Sequence, residues 1–250
     1  MENLKRSIGQ SEPVSYDCDI CKDVGFIIDK EGPYEIATKC KCQRLKEIKQ
    51  RHNNSGIGDL LDTKTFDNYI VRNKYQDAIK QTAVKYVKEY REGNRYSLAI
   101  LGQSGTGKTH ITVAVARQLI ELGADVKYFI ADDIIQNLQA CKFDEENYNR
   151  EFSKVANAGV LFLDDLFKTS IKNYYNKESI DTGDLREIFK IINYRYNKGL
   201  PMLINSEIEF ERFAKLDQAI IGRINEMCNY EYLLTIGPDQ SKNYRLNKRW

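Results

Sequence analysis

Glycine, lysine and a hydroxyl at the spacing G-x-x-x-x-G-K-[ST] build a cradle for phosphate, and Gly102-Gln103-Ser104-Gly105-Thr106-Gly107-Lys108-Thr109 meets that spacing. The glycines let backbone N–H groups turn inward around phosphate oxygens, and a following helix adds the partial positive charge of its N-terminus. Lys108 then serves the β and γ phosphates of ATP, and the Thr109 hydroxyl ligates Mg2+. His110, next on the helix, joins the cofactor-binding set. Such a cradle needs a carboxylate at the end of a neighbouring strand, and Val160-Leu161-Phe162-Leu163-Asp164-Asp165 supplies two. Asp164 is expected to hold Mg2+ through its water shell, and Asp165 stands where many nucleotide hydrolases carry a glutamate that polarises the attacking water. Aspartate is one methylene shorter, so hydrolysis is expected to be slow, with nucleotide acting more as a switch than as fuel. A glycine-rich turn and an acidic helix cap would carry the same letters without the chemistry. The apolar strand before the glycines and the helix after them argue against that.

A second constellation is Cys18-x-x-Cys21 with Cys40-x-Cys42, two pairs of soft ligands at the ends of an eighteen-residue stretch that reads as a β-hairpin. Four thiolates closing a tetrahedral Zn2+ leave no open position, so the metal would be structural. A segment this small needs such a staple to fold. Four reduced thiols in a disordered segment are the alternative, and His52 is a substitute ligand. Cys141 and Cys228 read as buried small hydrophobes. Residues 1–10 carry no apolar export signal, so a reducing cytoplasm is expected and disulfides are not.

These groups have to be positioned, and the apolar pattern says by what. Strand-like runs at 97–101, 126–130, 160–164 and 201–205 alternate with helical patterns at 108–122, 132–155 and 182–197, the order of a parallel sheet covered on both faces. Tyr75, Ala78, Ile79, Ala83, Tyr86, Val87 and Tyr90 recur at three and four, which predicts a lead-in helix ended by Gly93. The fold class is therefore α/β with a small N-terminal zinc-binding module. Residues 1–52 form the module, 53–93 a linker and lead-in helix, and 94–250 the nucleotide domain, with the Asn, Ser and Gly of 52–58 marking a flexible joint. A length of 250 residues suits one such domain and an appendage. A net charge of +2 confines nucleic-acid contact to local patches, and the absence of a bilayer-length apolar run argues against a membrane partner.

With the two phosphate-site motifs in order, the downstream residues resemble AAA+ P-loop ATPases, and among them the DnaC/IstB-like family with its DnaC and DnaI helicase loaders. Asn205 resembles the sensor-1 polar residue that lies between the two phosphate-site strands. Ile221-Gly222-Arg223-Ile224 is similar to the family's Gly/Ser-Arg-Ile box, whose arginine acts as a finger on a neighbouring subunit. Asn243-Tyr244-Arg245-Leu246 resembles the Tyr-Arg-Leu ending, which would make Arg245 a sensor-2 residue. Asn193-Tyr194-Arg195-Tyr196 adds a further match, and the resemblance spans 66–246. Two features depart from the family: Ser206-Glu207 follows Asn205 where relatives carry Asn-Leu, and no helical lid fits between 234 and 250.

The resemblance implies a slow ATPase with the hydrolytic set Lys108, Asp164, Asp165, Asn205, Arg223 and Arg245. It implies a loader of a replicative hexameric DNA helicase that assembles with its own copies through Arg223 when bound to ATP or helicase. An insertion at 132–150 resembles the initiator-specific helices that face single-stranded DNA, with Lys142, Phe143, Tyr148 and Arg150 as contacts. A second basic and aromatic stretch, 168–177, contains Lys172, Tyr174 and Tyr175. Cations for phosphates and flat rings for bases suit sequence-tolerant strand binding, although the same tyrosines could pack and the lysines simply be solvated. The zinc module would contact the helicase, with DNA contact by the basic run 39–51 as the other reading. An IstB-like ATPase serving a transposase shares the core, and the module favours the loader. A P-loop kinase for a small metabolite would need an arginine-rich lid, whereas the run after Asp165 holds tyrosines and lysines. A nucleotide-binding adaptor that never turns over stays open through Asp165.

Overall fold

The apolar runs in the middle of the sequence become the middle of a sheet. The computed structural model of the chain describes residues 16, 18–31, 34–175 and 177–246; the 1–10 segment read for export lies outside them. The chain divides into two compact units, Met1–Lys49 and Gln50–Trp250.

In the first unit, β1 (Phe26–Glu31) and β2 (Tyr34–Lys39) pair antiparallel with Phe26 opposite Lys39, and α1 (Lys41–Asn54) begins directly after Cys40. A tight turn precedes β1: Lys22 and Asp23 take left-handed φ of 49° and 66°, and the Lys22 amide donates to the Cys18 carbonyl at 2.8 Å. Cys21 and Cys40 are buried, whereas Ile20, Val24, Phe26, Ile28, Tyr34 and Ile36 are exposed. Among the described residues of this unit the buried hydrophobic side chains are those of Cys21 and Cys40 alone, as in a stapled module.

The second unit runs α2 (Leu60–Thr63), α3 (Lys74–Arg91), β3 (Leu98–Gly102), α4 (Lys108–Glu121), β4 (Val126–Ile130), α5 (Ala131–Ala140), α6 (Glu145–Ala156), β5 (Val160–Asp164), β6 (Ile171–Tyr174), β7 (Lys177–Ile180), α7 (Thr182–Lys198), β8 (Met202–Ser206), α8 (Phe210–Leu216), α9 (Gln218–Met227) and β9 (Leu233–Ile236). Five strands form one parallel sheet in the order β4-β5-β8-β3-β9. Every residue of β3, β5 and β8 is buried, which is why these strands read as unbroken apolar runs rather than alternating ones. Side-chain caps start the helices: Asn73 accepts from the Gln76 amide for α3, Asp144 from Asn147 for α6, and Asp181 from Gly183 and Asp184 for α7. Gly199, at φ 62°, closes α7 in the left-handed cap that only glycine takes without strain.

Two expectations need correction. Residues 52–58 are not a free joint: Ser55 is buried, its carbonyl accepts from the Tyr128 amide at 2.7 Å, and the Lys127 ammonium reaches the Asn54 carbonyl at 2.8 Å. A β-hairpin, β6–β7, stands after β5, where the sequence showed only a basic and aromatic stretch; the Arg212 guanidinium ties it to α8 by two bonds to Glu178, at 2.9 and 2.8 Å.

Candidate nucleotide site

Sheet order decides what meets what. β8 lies between β3 and β5, and its register sets Asn205 beside Ile100 on one side and Ile204 beside Leu163 on the other. The phosphate loop after β3, the carboxylate at the end of β5 and the polar end of β8 therefore converge at the C-terminal edge, where parallel sheets place their ligands.

Asp164 is the hub. Its Oδ1 accepts from Asn205 Nδ2 at 2.9 Å, the Asp165 amide at 3.2 Å and Thr109 Oγ1 at 3.3 Å, and its Oδ2 accepts from the Tyr128 hydroxyl at 3.2 Å. Burial pushes the Asp164 carboxyl up from the ordinary carboxylate range, opposed by the Asn205 bond and seconded by the charge of Asp165. Asn205 is itself held, since its oxygen accepts from Thr112 Oγ1 at 2.8 Å. Thr109 and Asp164, a hydroxyl and a carboxylate in contact, are the donor set Mg2+ takes in such sites, where the ion offsets phosphate charge.

Lys108 is buried, and its ammonium donates to the Gly102 and Gln103 carbonyls at 2.7 and 2.9 Å. Burial holds its pKa below the usual lysine value; Glu207, Asp165 and Asp164 oppose that shift, and the Arg245 charge adds to it. Gly102 is fixed by backbone that cannot give way, whereas Gly105 is favoured by its left-handed φ of 75° and faces a side chain that can shift. A Cβ at Gly102 would stand 2.0 Å from the Ile236 carbonyl oxygen on β9, and one at Gly105 would stand 2.2 Å from Oδ1 of Asn243. The end of the chain lies across the loop: the Tyr244 amide donates to the Gly105 carbonyl at 3.0 Å, and the Tyr244 hydroxyl accepts from Asn73 at 2.6 Å. Gln103 Oε1 accepts from the Asp239 amide at 2.5 Å. Ser104 and Thr106 complete the loop, Thr106 buried with its hydroxyl on the Gln103 carbonyl at 3.0 Å.

His110 is not part of the phosphate cradle. One helix position beyond Thr109 turns its ring about 100° away, and Nε2 lies 3.1 Å from the Thr65 carbonyl and 2.9 Å from Asn68 Oδ1. Both partners are acceptors, so the ring carries its proton on Nε2. It packs edge-on against Tyr69, whose own ring backs Gly107.

The chain behind Asp164 bends sharply. Asp165 and Phe167 have φ of 56° and 57°, a conformation that costs a bulky residue, and the Leu166 amide on the Asn205 carbonyl at 2.9 Å holds it there. The bend carries Lys168 back to Asp165, with Nζ 2.8 Å from Oδ2. Lys168 thus leaves the 168–177 stretch read as DNA-facing. Sequence reasoning missed this ion pair, which depends on the left-handed bend at Asp165, and missed Tyr128 and Thr112 because each joins residues on different elements.

Arg223 on α9 lies over the Phe189 and Tyr196 rings, 5.0 and 5.6 Å from their centroids, and donates to Asn193 Oδ1 at 3.1 Å. Arg245 is exposed on the segment crossing the loop. Of the insertion residues, Phe143 is 92% exposed beneath the Lys142 ammonium, and Arg150 is exposed beside Glu151. Tyr148 instead stacks on Phe152 and donates to Glu187 at 2.5 Å. At the hairpin tip Tyr174 and Tyr175 are exposed and Lys172 is exposed beside them. Arg195 of the Asn-Tyr-Arg-Tyr string is fully buried, donating to the Ala156, Ala158 and Pro201 carbonyls at 2.9, 2.8 and 2.7 Å. Cys228 is buried as read, but Cys141 is only half-buried at the end of α5.

The four N-terminal cysteines gather into one cluster with all sulfurs within 4.8 Å, Cys18 and Cys40 at 3.8 Å and Cys21 and Cys42 at 3.3 Å. Zinc bonded to sulfur at about 2.3 Å in a tetrahedron separates its ligands by about 3.8 Å, so the donor set fits the ion. Burial raises the Cys21 thiol, but the Gly25 amide and the other three sulfurs bring it down to about 7; the bond to Cys21, then burial and the Cys18 and Cys40 sulfurs, push Cys42 up to about 12. His52 is not in the cluster.

The family profile described as IstB-like ATP binding protein matches residues 45–246. The chain belongs to that family. This IstB-like chain is 31% identical to the phage-like element PBSX protein XkdC of Bacillus subtilis (strain 168), over 96% of this chain and 88% of that one. It is 26% identical to the replicative helicase loader DnaC of Escherichia coli (strain K12), over 78% and 76%. Its fold is that of the crystal structure of DnaI, with a TM-score of 0.56 and 17% identity over 78% of this chain and 99% of that one. It also overlays AMPPCP-bound DnaA from Aquifex aeolicus, with a TM-score of 0.55 and 20% identity, where it covers 74% of its own length and about half, 53%, of DnaA. The IstB-like fold is thus the AAA+ P-loop fold, and among the described residues no helix is long and apolar enough to cross a membrane.

Proposed function

We propose that this chain is an ATP-controlled loader of a replicative DNA helicase. The observation that carries the reading is the direction of Arg223. Its partners Asn193 and Tyr196 sit in the last turns of α7, about 16 and about 21 Å along the helix from Thr182 at 1.5 Å per residue. That end of α7 leads into the start of β8, whereas the phosphate loop lies at the far ends of the strands. Arg223 therefore lies away from its own phosphate loop, the position that an arginine reaching the phosphate of a neighbouring copy needs.

ATP occupies Gly102 to Thr109, and hydrolysis is slow. Thr109 and Asp164 hold Mg2+, Asn205 fixes Asp164, and Arg245 lies near the loop from the chain end. Zn2+ closes Cys18, Cys21, Cys40 and Cys42 and holds the module that meets the helicase. The exposed rings at Phe143, Tyr174 and Tyr175, with Lys142 and Lys172, contact single-stranded DNA. The relatedness to DnaC supports this reading; an ATPase that serves a transposase is the other one, and the family profile over residues 45–246 does not separate the two.

The test is ATP turnover by the full chain alone, with single-stranded DNA, and with a replicative helicase, beside Lys108→Ala and Arg223→Ala. Slow turnover that responds to DNA or helicase and disappears in both variants is the expected result. Brisk turnover indifferent to both additions and to Arg223 would overturn the loader.

A further inference from the structure

Glu207 departs from the family's pattern, and its surroundings give it work. It stands two residues beyond Asn205, in the bend that directly follows β8. It is half-buried, and its Oε1 lies 3.6 Å from Lys168 Nζ, the same ammonium that sits 2.8 Å from Asp165 Oδ2. Glu207, like Asp165 and Asp164, lies near enough to Lys108 to oppose the effect of its burial. Two acidic groups thus flank the mouth of the phosphate cradle, and one cation lies between them.

They are not equivalent. Lys168 makes a direct hydrogen bond to Asp165, whose carboxylate is held back at the left-handed bend. The distance to Glu207 exceeds hydrogen-bond length, and its side chain is one methylene longer.

We propose that Glu207, rather than Asp165, polarises the attacking water, and that Lys168 is a positioning residue for both carboxylates. This rests on the ATPase reading above. The water oxygen bonds to the γ-phosphorus, and the bond from that phosphorus to the bridging oxygen breaks with its electron pair leaving on ADP. The water's proton passes to the Glu207 carboxylate and then to solvent. A catalytic carboxylate is supplied by the bend that follows the central strand, two residues beyond the one that fixes the metal-side aspartate.

The experiment compares the full-length wild type, Glu207→Gln, Glu207→Asp and Asp165→Asn for steady-state ATP turnover, its pH profile, and equilibrium ATP binding. Glu207→Gln is expected to lower turnover about 100-fold, the usual worth of a positioned acid or base, and to abolish the acid limb of the pH profile. ATP affinity should stay within about three-fold, Glu207→Asp should fall between, and Asp165→Asn should lose less than about ten-fold. Turnover retained in Glu207→Gln and lost in Asp165→Asn would overturn the inference and leave the ATPase reading standing. Loss of ATP binding in Glu207→Gln would overturn it too, as a binding role. No turnover by the wild type, with DNA and helicase present, would overturn the ATPase reading and this inference with it.

Discussion

Asn205 donates its side-chain amide to Asp164 across 2.9 Å while its oxygen accepts from Thr112 at 2.8 Å, so its orientation is fixed from both ends. Removing one such preorganised donor typically costs about 100-fold in turnover. Asn205→Ala should show that loss in steady-state kinetics with ATP affinity changed far less, and a turnover within about three-fold of wild type would contradict it.

Arg195 is the largest fully buried side chain among the described residues and satisfies carbonyls from the end of α6 and the start of β8. Each buried acceptor left bare costs about 1–3 kcal/mol, so Arg195→Met should lower stability in urea by at least about 3 kcal/mol. Arg195→Lys keeps the charge without the fork and should fall between. A loss below about 1 kcal/mol for the methionine variant would show that the carbonyls find other partners.

Burial holds the His110 ring below its ordinary pKa of 6.5, against the bond to Thr65. The unfolded chain then binds the proton more readily, so stability is lost as pH falls through 6.5 toward the folded value. His110→Gln keeps a donor for the Thr65 carbonyl and does not titrate. Urea midpoints of the two proteins should diverge between about pH 7 and about pH 5, the wild type losing more, and parallel curves would remove His110 as the cause.

The four-cysteine cluster should hold about one zinc per chain by elemental analysis. Cys40→Ala, which removes a fully buried sulfur, should lose the metal and the order of the first unit while ATP binding by the second persists. Full thiol titration with no bound metal in the native protein would refute the site.

Phe143 and Tyr175 are 92% and 103% exposed, so truncating either leaves the fold untouched. Base stacking is worth about 1–3 kcal/mol, and Phe143→Ala and Tyr175→Ala should each weaken single-stranded DNA binding by that order in fluorescence anisotropy at fixed salt. Tyr148→Ala should instead lower stability, because that ring packs on Phe152. Unchanged DNA affinity in both exposed variants would place the strand elsewhere.

The central strands were legible because a strand buried on both faces needs apolar residues at every position, and β3, β5 and β8 have them. The phosphate loop and Asp164 were legible because their chemistry depends on local spacing. Residues 52–58 misled because polar, glycine-containing composition reports local flexibility and says nothing of the Tyr128 amide waiting for the Ser55 carbonyl. Lys168 and Glu207 were opaque for the same reason: an ion pair between the bend after β5 and the end of β8 is a property of the sheet order. His110 failed through one step of helix rotation.

Lys108 is bonded to the Gly102 and Gln103 carbonyls of its own loop. Ligand therefore enters by exchange, and the ammonium adds to affinity only the difference between the bonds it gains and those it gives up. Its larger effect is on selectivity: a molecule that places little negative charge at that point offers too poor a trade to draw the lysine off its own backbone.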